Sequence, residues 1–149
     1  MDDAAAMREA LAEARRALEH DDVPVGAVVL DPAGVIVGRG HNRREVDADP
    51  TAHAEVLALR EAASEAGTWH LEGHTLVVTL EPCLMCAGAL LAARIPRLVI
   101  GAWDPKAGAA GSQWDVVRDA RLAAQVEVVP GVDADAAAAL LTEFFSDRR

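Results

Sequence analysis

The sequence predicts an α/β fold of three layers, α/β/α, in which a mixed five-stranded sheet carries helices on both faces. Three observations lead there. Two short apolar runs near the N-terminus are joined by a turn, the pattern of an antiparallel hairpin. Beyond them strands alternate with helices, the pattern of parallel pairing under helices on both faces. The chain has 149 residues, 52% of them hydrophobic, which suits one core. Residues 1–149 are therefore expected to form a single domain.

Each element has its own signal. Residues 3–19 place Met7, Ala10, Leu11, Ala14 and Leu18 at the spacing of an amphipathic helix. The runs 25–30 and 35–38 flank Asp31-Pro32-Ala33-Gly34, a turn by its chemistry. Residues 52–66 read as a helix, with Thr51 or Asp49 as N-cap. Residues 75–80 read as a buried strand that feeds a second helix at about 83–93. Strands over 98–101 and 126–129 complete the five, and a helix over 132–146 closes the chain. The segment 103–114 is rich in Gly and Ala and bounded by Trp103 and Trp114. It is either a cover for a pocket or a passive crossover with tryptophans in the core. Gly88 inside the second helix is unfavourable by about 1 kcal/mol relative to alanine. A close helix–helix or subunit contact would explain it, and packing against the sheet is the competing explanation. The small apolar stretch 85–90 therefore predicts a homodimer packed partly through this helix.

The chemistry is concentrated in two short blocks. Cys83 and Cys86 are the two cysteines of the chain, in Pro82-Cys83-Leu84-Met85-Cys86. Upstream stands Thr51-Ala52-His53-Ala54-Glu55. Read together they are H-x-E … P-C-x-x-C: one imidazole and two sulfurs for a metal, with a carboxylate two positions from the imidazole. Catalytic zinc keeps three protein ligands and leaves a place for water, whereas structural zinc takes four. Pro82 suits a helix entry, so both sulfurs would lie near a helix N-terminus, where the dipole favours thiolate. His53 and Glu55 would sit in the first turn of the preceding helix, so that two helix N-termini face one ion. Glu55 is then the natural proton carrier, accepting from water and delivering to a ring nitrogen and a departing amine. This is the pattern of hydrolytic deamination of an amino-substituted heterocycle. The alternatives are a C-x-x-C redox pair, which leaves H-x-E unexplained, and a structural zinc completed by His20, His41, His70 or His74.

These blocks resemble the cytidine-deaminase-like superfamily, and more narrowly the bacterial tRNA-specific adenosine deaminases. The resemblance runs through nearly the whole chain. It rests on the stretches 23–28 and 40–43, on Asp49-Pro50-Thr51-Ala52-His53-Ala54-Glu55, on the stretch 79–89 and on 101–112, which contains Asp-Pro-Lys-Ala-Gly-Ala-Ala-Gly-Ser. It implies one zinc ion per subunit on His53, Cys83 and Cys86, with Glu55 shuttling protons. It implies adenosine-to-inosine conversion at the wobble position of a tRNA anticodon stem-loop. It also implies that Asn42 contacts the flipped nucleotide and that Pro24, Val25 and Ala27 wall the pocket. His41 stands where relatives often carry tryptophan and would stack on a base. Asp104 and Lys106 would meet the anticodon backbone. Phe144 and Phe145, followed by Arg148 and Arg149, resemble the tRNA-contacting end of the last helix. The alternative function is deamination of a free base or nucleoside such as guanine or cytosine, and a third is a zinc-stabilised interaction module.

The net charge of −10 argues against a generic nucleic-acid binder. Distribution counts for more than the sum. Acidic residues load the first helix, while Arg43, Arg44 and Lys106, the single lysine, cluster near the expected pocket mouth. Arg94 and Arg97 read as ordinary solvated surface. No apolar run approaches membrane-spanning length and the charged N-terminus lacks a signal-peptide pattern. Two thiols needed as metal ligands imply a reducing compartment, so a cytoplasmic location is expected.

Overall fold

The computed structural model describes residues 1–148. Its elements run α1 (Asp3–Ala17), β1 (Gly26–Leu30), β2 (Ile36–His41), α2 (Arg44–Asp47), α3 (Ala54–Ala66), β3 (Thr75–Leu80), α4 (Leu84–Ala92), β4 (Arg97–Ala102), β5 (Glu127–Val129) and α5 (Ala134–Ser146). A 3-10 turn, Leu18–His20, follows α1. The sheet order is β2-β1-β3-β4-β5. β1 is antiparallel to both β2 and β3, and β3-β4-β5 are parallel. The mixed five-stranded sheet expected from the sequence is thus present.

Two apolar cores lie on opposite faces of this sheet. α1 and α5 cover one face, with Met7, Leu11 and Ala137 packed on Val28, Val77 and Val99. α3 and α4 cover the other, with Ala58, Leu59 and Leu90 packed on Val29, Val78 and Ile100. Successive side chains of a strand point to opposite faces, so Val77 and Val99 serve one core while Val78 and Ile100 serve the other. That is why β1 is buried at all five positions. α3 lies close against β2. A Cβ on Gly40 would meet the Ala54 carbonyl oxygen, and one on Gly38 the Ala58 carbonyl oxygen. Glycine at alternate positions of β2 lets the helix backbone rest directly on the strand.

Several boundaries moved. β2 continues to His41, and so carries the chain directly to Asn42. The short helix α2 has no apolar periodicity and was not expected. Both zinc helices start one or two residues later than their patterns suggest, because His53 and Cys83 are extended N-cap residues. Trp103 and Trp114 are 44% and 47% exposed, so they are not core residues. Among the described residues no helix is long and apolar enough to cross a membrane.

Candidate active site and metal centre

The N-termini of α3 and α4 converge. His53 Nδ1 lies 3.7 Å from Cys83 Sγ and 3.5 Å from Cys86 Sγ. These donor atoms all fall within 4.8 Å of one another. A borderline nitrogen and two soft sulfurs at this spacing fit a tetrahedral zinc ion, with one corner left for solvent. Among the described residues no fourth His, Cys, Asp or Glu joins the group. The four other histidines lie elsewhere: His20 and His41 stack on each other, and His70 and His74 bond to Glu72. The structural-zinc alternative therefore lacks its fourth ligand.

The electrostatics suit metal capture. The Cys83 thiol is held down to about 3 because Cys86 and His53 both hydrogen-bond to it. The same bond, together with burial, pushes the Cys86 thiol far above the usual range. His53 is shifted upward, chiefly by its bond to Cys83. The cluster therefore carries protons that a metal must displace. Glu55, 4% exposed in the first turn of α3, has its carboxyl pushed up by burial. A carboxyl so placed can carry a proton near neutral pH.

A cavity of about 180 Å³ opens beside this cluster. His53, Glu55 and Cys83 form its floor. Val23, Val25, Asn42 and Arg44 form one side, and Leu80, Glu81, Asp104 and Ala107 the other. Asn42 is an architectural residue of the wall. Its amide donates to the Val23 carbonyl oxygen at 3.1 Å, and its Oδ1 accepts from the Ala54 amide at 2.9 Å. Asn42, just past the end of β2, therefore caps α3. The expected caps do not: Asp49 accepts from the Thr51 amide and hydroxyl in a local turn. Two of the four hydrogen-bonding positions of the Asn42 amide remain free for a ligand.

Other sequence-based assignments divide. Val25 and Asp104 line the cavity, but Pro24 and Ala27 do not. Ala27 is fully buried in the core because its strand position points into the layer below. His41 is buried, bonded to Glu13 at 3.1 Å and stacked on His20. Strand alternation turns it away from Asn42 and towards α1, so it is not a base-stacking residue. Lys106 is exposed on the loop that carries Asp104. Phe144 is buried and Phe145 exposed, edge to face with each other. The Arg148 guanidinium lies over the Phe144 ring at 3.4 Å and pairs with Asp21. This end of α5 borders a separate hollow, shared with His20, Asp22 and Arg44, that reaches the catalytic cavity through Val23 and Arg44. Arg149 lies outside the described residues. Sequence reasoning missed Val23, Leu80, Glu81 and Ala107, which look like ordinary strand-end and loop residues until the long-range contacts are seen.

Residues 1–102 match the family described as the cytidine and deoxycytidylate deaminase zinc-binding region, and the chain belongs to it. Fold, donor set and family together make the protein a zinc-dependent hydrolytic deaminase. A tRNA-specific adenosine deaminase of Bacillus subtilis is 46% identical over 143 residues, covering 96% of this chain and 88% of that one. A tRNA(Ile)-lysidine synthase of Deinococcus radiodurans is 54% identical over 145 residues, 97% of this chain, which spans only 25% of its length. A chain solved in a study of A-to-I editing by tRNA:A34 deaminases at the wobble position of transfer RNA superposes with a TM-score of 0.87. It is 42% identical and covers 92% of this chain and 99% of that one. Within the wider family, this chain belongs with the tRNA-specific adenosine deaminases.

Proposed function

We propose that the protein converts adenosine to inosine at the wobble position of tRNA, with His53, Cys83 and Cys86 holding one zinc ion per subunit and Glu55 moving protons. The observation that carries the reading is Glu55. It is buried beside a three-ligand cluster, in a cavity below the roughly 300–1,000 Å³ typical of ligand pockets, about right for one base. Anticodon loops present unpaired bases that can be splayed into such a site. Bound zinc supplies activation of a water molecule. Glu55 takes the proton that water gives up and passes it to a ring nitrogen. The water oxygen bonds to the amino-bearing ring carbon; Glu55 then takes the second proton from that oxygen and gives it to the exocyclic amine, which leaves as ammonia as the C–N bond breaks and the carbonyl forms. Val23 and Val25 exclude solvent from one side of the base. The free positions on Asn42 hold the nucleotide, and Asp104 and Lys106 meet the backbone outside.

Substrate-side roles for Phe144 and Arg148 are supported by their place at the neighbouring hollow, where flanking nucleotides would pass, and Phe145 is exposed beside Phe144. We read residues 1–149 as one domain that acts in the cytoplasm as a homodimer. The exposed apolar face of α4 supports the dimer: Leu84 and Met85 are 48% and 37% exposed, and nothing lies near Gly88. Packing against the sheet therefore does not account for Gly88. Sedimentation at micromolar concentration should show a dimer.

The test of function is product analysis. The zinc-loaded protein is incubated with an anticodon stem-loop carrying adenosine at the wobble position, and separately with free adenosine, guanine and cytosine. Inosine in the stem-loop alone is expected. Conversion confined to a free base would establish the alternative.

A further inference from the structure

Glu81 is 2% exposed and has no place in the proton chemistry, yet it accepts more hydrogen bonds than any other carboxylate around the cavity. It directly follows β3, two residues before Cys83. Its Oε1 accepts from the Asp104 amide at 2.9 Å, and its Oε2 from the amides of Ala110 at 2.9 Å and Ser112 at 3.0 Å. The Ser112 hydroxyl donates to Oε1 and also lies 2.7 Å from the Asp104 carbonyl oxygen. Four donors match the full acceptor capacity of a carboxylate. All four come from one loop, 29 to 31 residues away in sequence for Ala110 and Ser112. A second tie runs alongside, from the Ala109 amide to the Pro82 carbonyl oxygen at 2.8 Å. The fit leaves no slack: a Cβ on Gly108 would fall on the Glu81 carboxylate and the Ser112 hydroxyl.

We propose that Glu81 is a positioning residue that fastens the 104–112 loop to the strand leading into the metal-binding helix, and so sets the cavity wall carried by Asp104 and Ala107 relative to His53 and Cys83. This rests on the deaminase reading for its kinetic consequence, though the fastening itself does not. Backbone amides aimed at a single buried acceptor have no alternative partner, so losing the acceptor frees the loop as a unit. Misplacement by about 1 Å of a substrate-positioning wall can lower turnover about a hundredfold.

The test compares Glu81→Gln, Glu81→Asp and Gly108→Ala with the wild type. Three measurements are made: zinc per chain, amide hydrogen exchange of residues 104–112, and kcat and KM on the stem-loop. Glu81→Gln keeps the length but exchanges one acceptor oxygen for a donor. Glu81→Asp keeps the charge but is one methylene short. Each is expected to keep one zinc per chain, to lose exchange protection at Asp104, Ala110 and Ser112, and to lower kcat about a hundredfold with little change in KM. Gly108→Ala should do the same from the opposite side, and adding Glu81→Gln to it should cost no more than a few-fold further, because both changes release one contact. Zinc loss in parallel with activity would overturn the proposal, since Glu81 would then act through Cys83. Unchanged loop protection, or a freed loop with wild-type kcat, would also overturn it. If the wild type deaminates no RNA, the function reading fails, and the exchange measurement alone still decides whether Glu81 fastens the loop.

Discussion

The floor and the rim of the cavity are built in different ways. The floor consists of His53, Glu55 and Cys83, with Cys86 buried beneath them, four residues from two short segments at helix N-termini. The rim is assembled from distant parts of the chain: Val23 and Arg44 on one side, Asp104 and Ala107 on the other. The floor concentrates buried, shifted ionisable groups, as reaction chemistry requires. The arginines at and near the rim stand beside carboxylates. Arg43 is bidentate to Asp47, Arg44 lies 3.7 Å from Asp22, and Arg148 pairs with Asp21. Among the described residues Lys106 is in no such pair. An overall acidic protein can thus meet a polyanion through a few cations while its other charges stay engaged. The floor draws its groups from two adjacent helix starts, whereas the rim draws on several separate segments of the chain.

The sharpest way to break this contrast is Glu55→Gln. It should retain one zinc per chain and lose about a thousandfold or more in kcat, within the range of general acid–base catalysis. Product chromatography and metal analysis check it, and substantial remaining turnover would remove Glu55 from the proton path.

Metal loading gives the next largest effect. In the metal-free cluster Cys86 keeps its proton, because it donates to Cys83 in a buried place, and His53 is shifted upward as well. Both must deprotonate to bind zinc. Zinc affinity should therefore rise with pH, about tenfold per unit for each proton released. Competition with a chromophoric chelator between pH 6 and 8 reads the slope, and a flat profile would show that the ligands are already free. Chelation should abolish activity and lower the melting temperature.

Asn42 tests where floor and rim join. Asn42→Ala removes the acceptor for the Ala54 amide and strands the Val23 carbonyl, and should cost about 1–3 kcal/mol of stability. Asn42→Asp keeps the acceptor and should cost less. Urea midpoints rank the two, and equal losses would mean that the Val23 bond, not the cap, dominates.

At the rim, Lys106→Ala should weaken stem-loop binding and reduce the salt slope of log Kd by about 0.7, the value for one single-strand phosphate contact. Arg43→Ala should change it less, because that guanidinium is already committed to Asp47. A larger effect from Arg43 would invert the picture of arginines already engaged by carboxylates.

The smallest effect lies far from the site. Asp3 sits below the ordinary aspartate value of 3.8 because Arg97 hydrogen-bonds to it. The stability it contributes is complete above the unfolded value and is lost as pH falls through the lowered folded one. Partly exposed pairs of this kind are worth about 1 kcal/mol or less. Removing Asp3 should therefore flatten only the acid limb of the unfolding curve.

The floor was legible because metal chemistry constrains residue type and spacing within a few positions. His53, Glu55, Cys83 and Cys86 need only their own helix starts to be found. The sheet was legible because its strands are short apolar runs between turn residues. The short helix α2 escaped notice, having no apolar face to betray it, and the later helix starts follow from His53 and Cys83 being extended caps. His41 shows the limit most plainly. Beside Asn42 in sequence, it faces the opposite way, because neighbouring positions on a strand point to opposite sides. Ala27 failed as a wall residue for a different reason: it shares a face with Val25 but lies deeper along the strand, fully buried in the core, while Val23, two positions before Val25, lines the cavity and Pro24 does not.

By its own residue types and periods, the amino-acid sequence determined the layered fold, the three metal donors and the carboxyl placed beside them. Only the tertiary structure decided which residues wall the cavity, that Asn42 caps a helix from just past the end of β2, and that Glu81 ties down a distant loop. Those roles depend on hydrogen bonds between segments far apart along the chain. No local pattern of hydrophobicity or spacing carries a trace of them, because an amide and a carboxylate acquire each other as partners only when the sheet and its helices have closed around them.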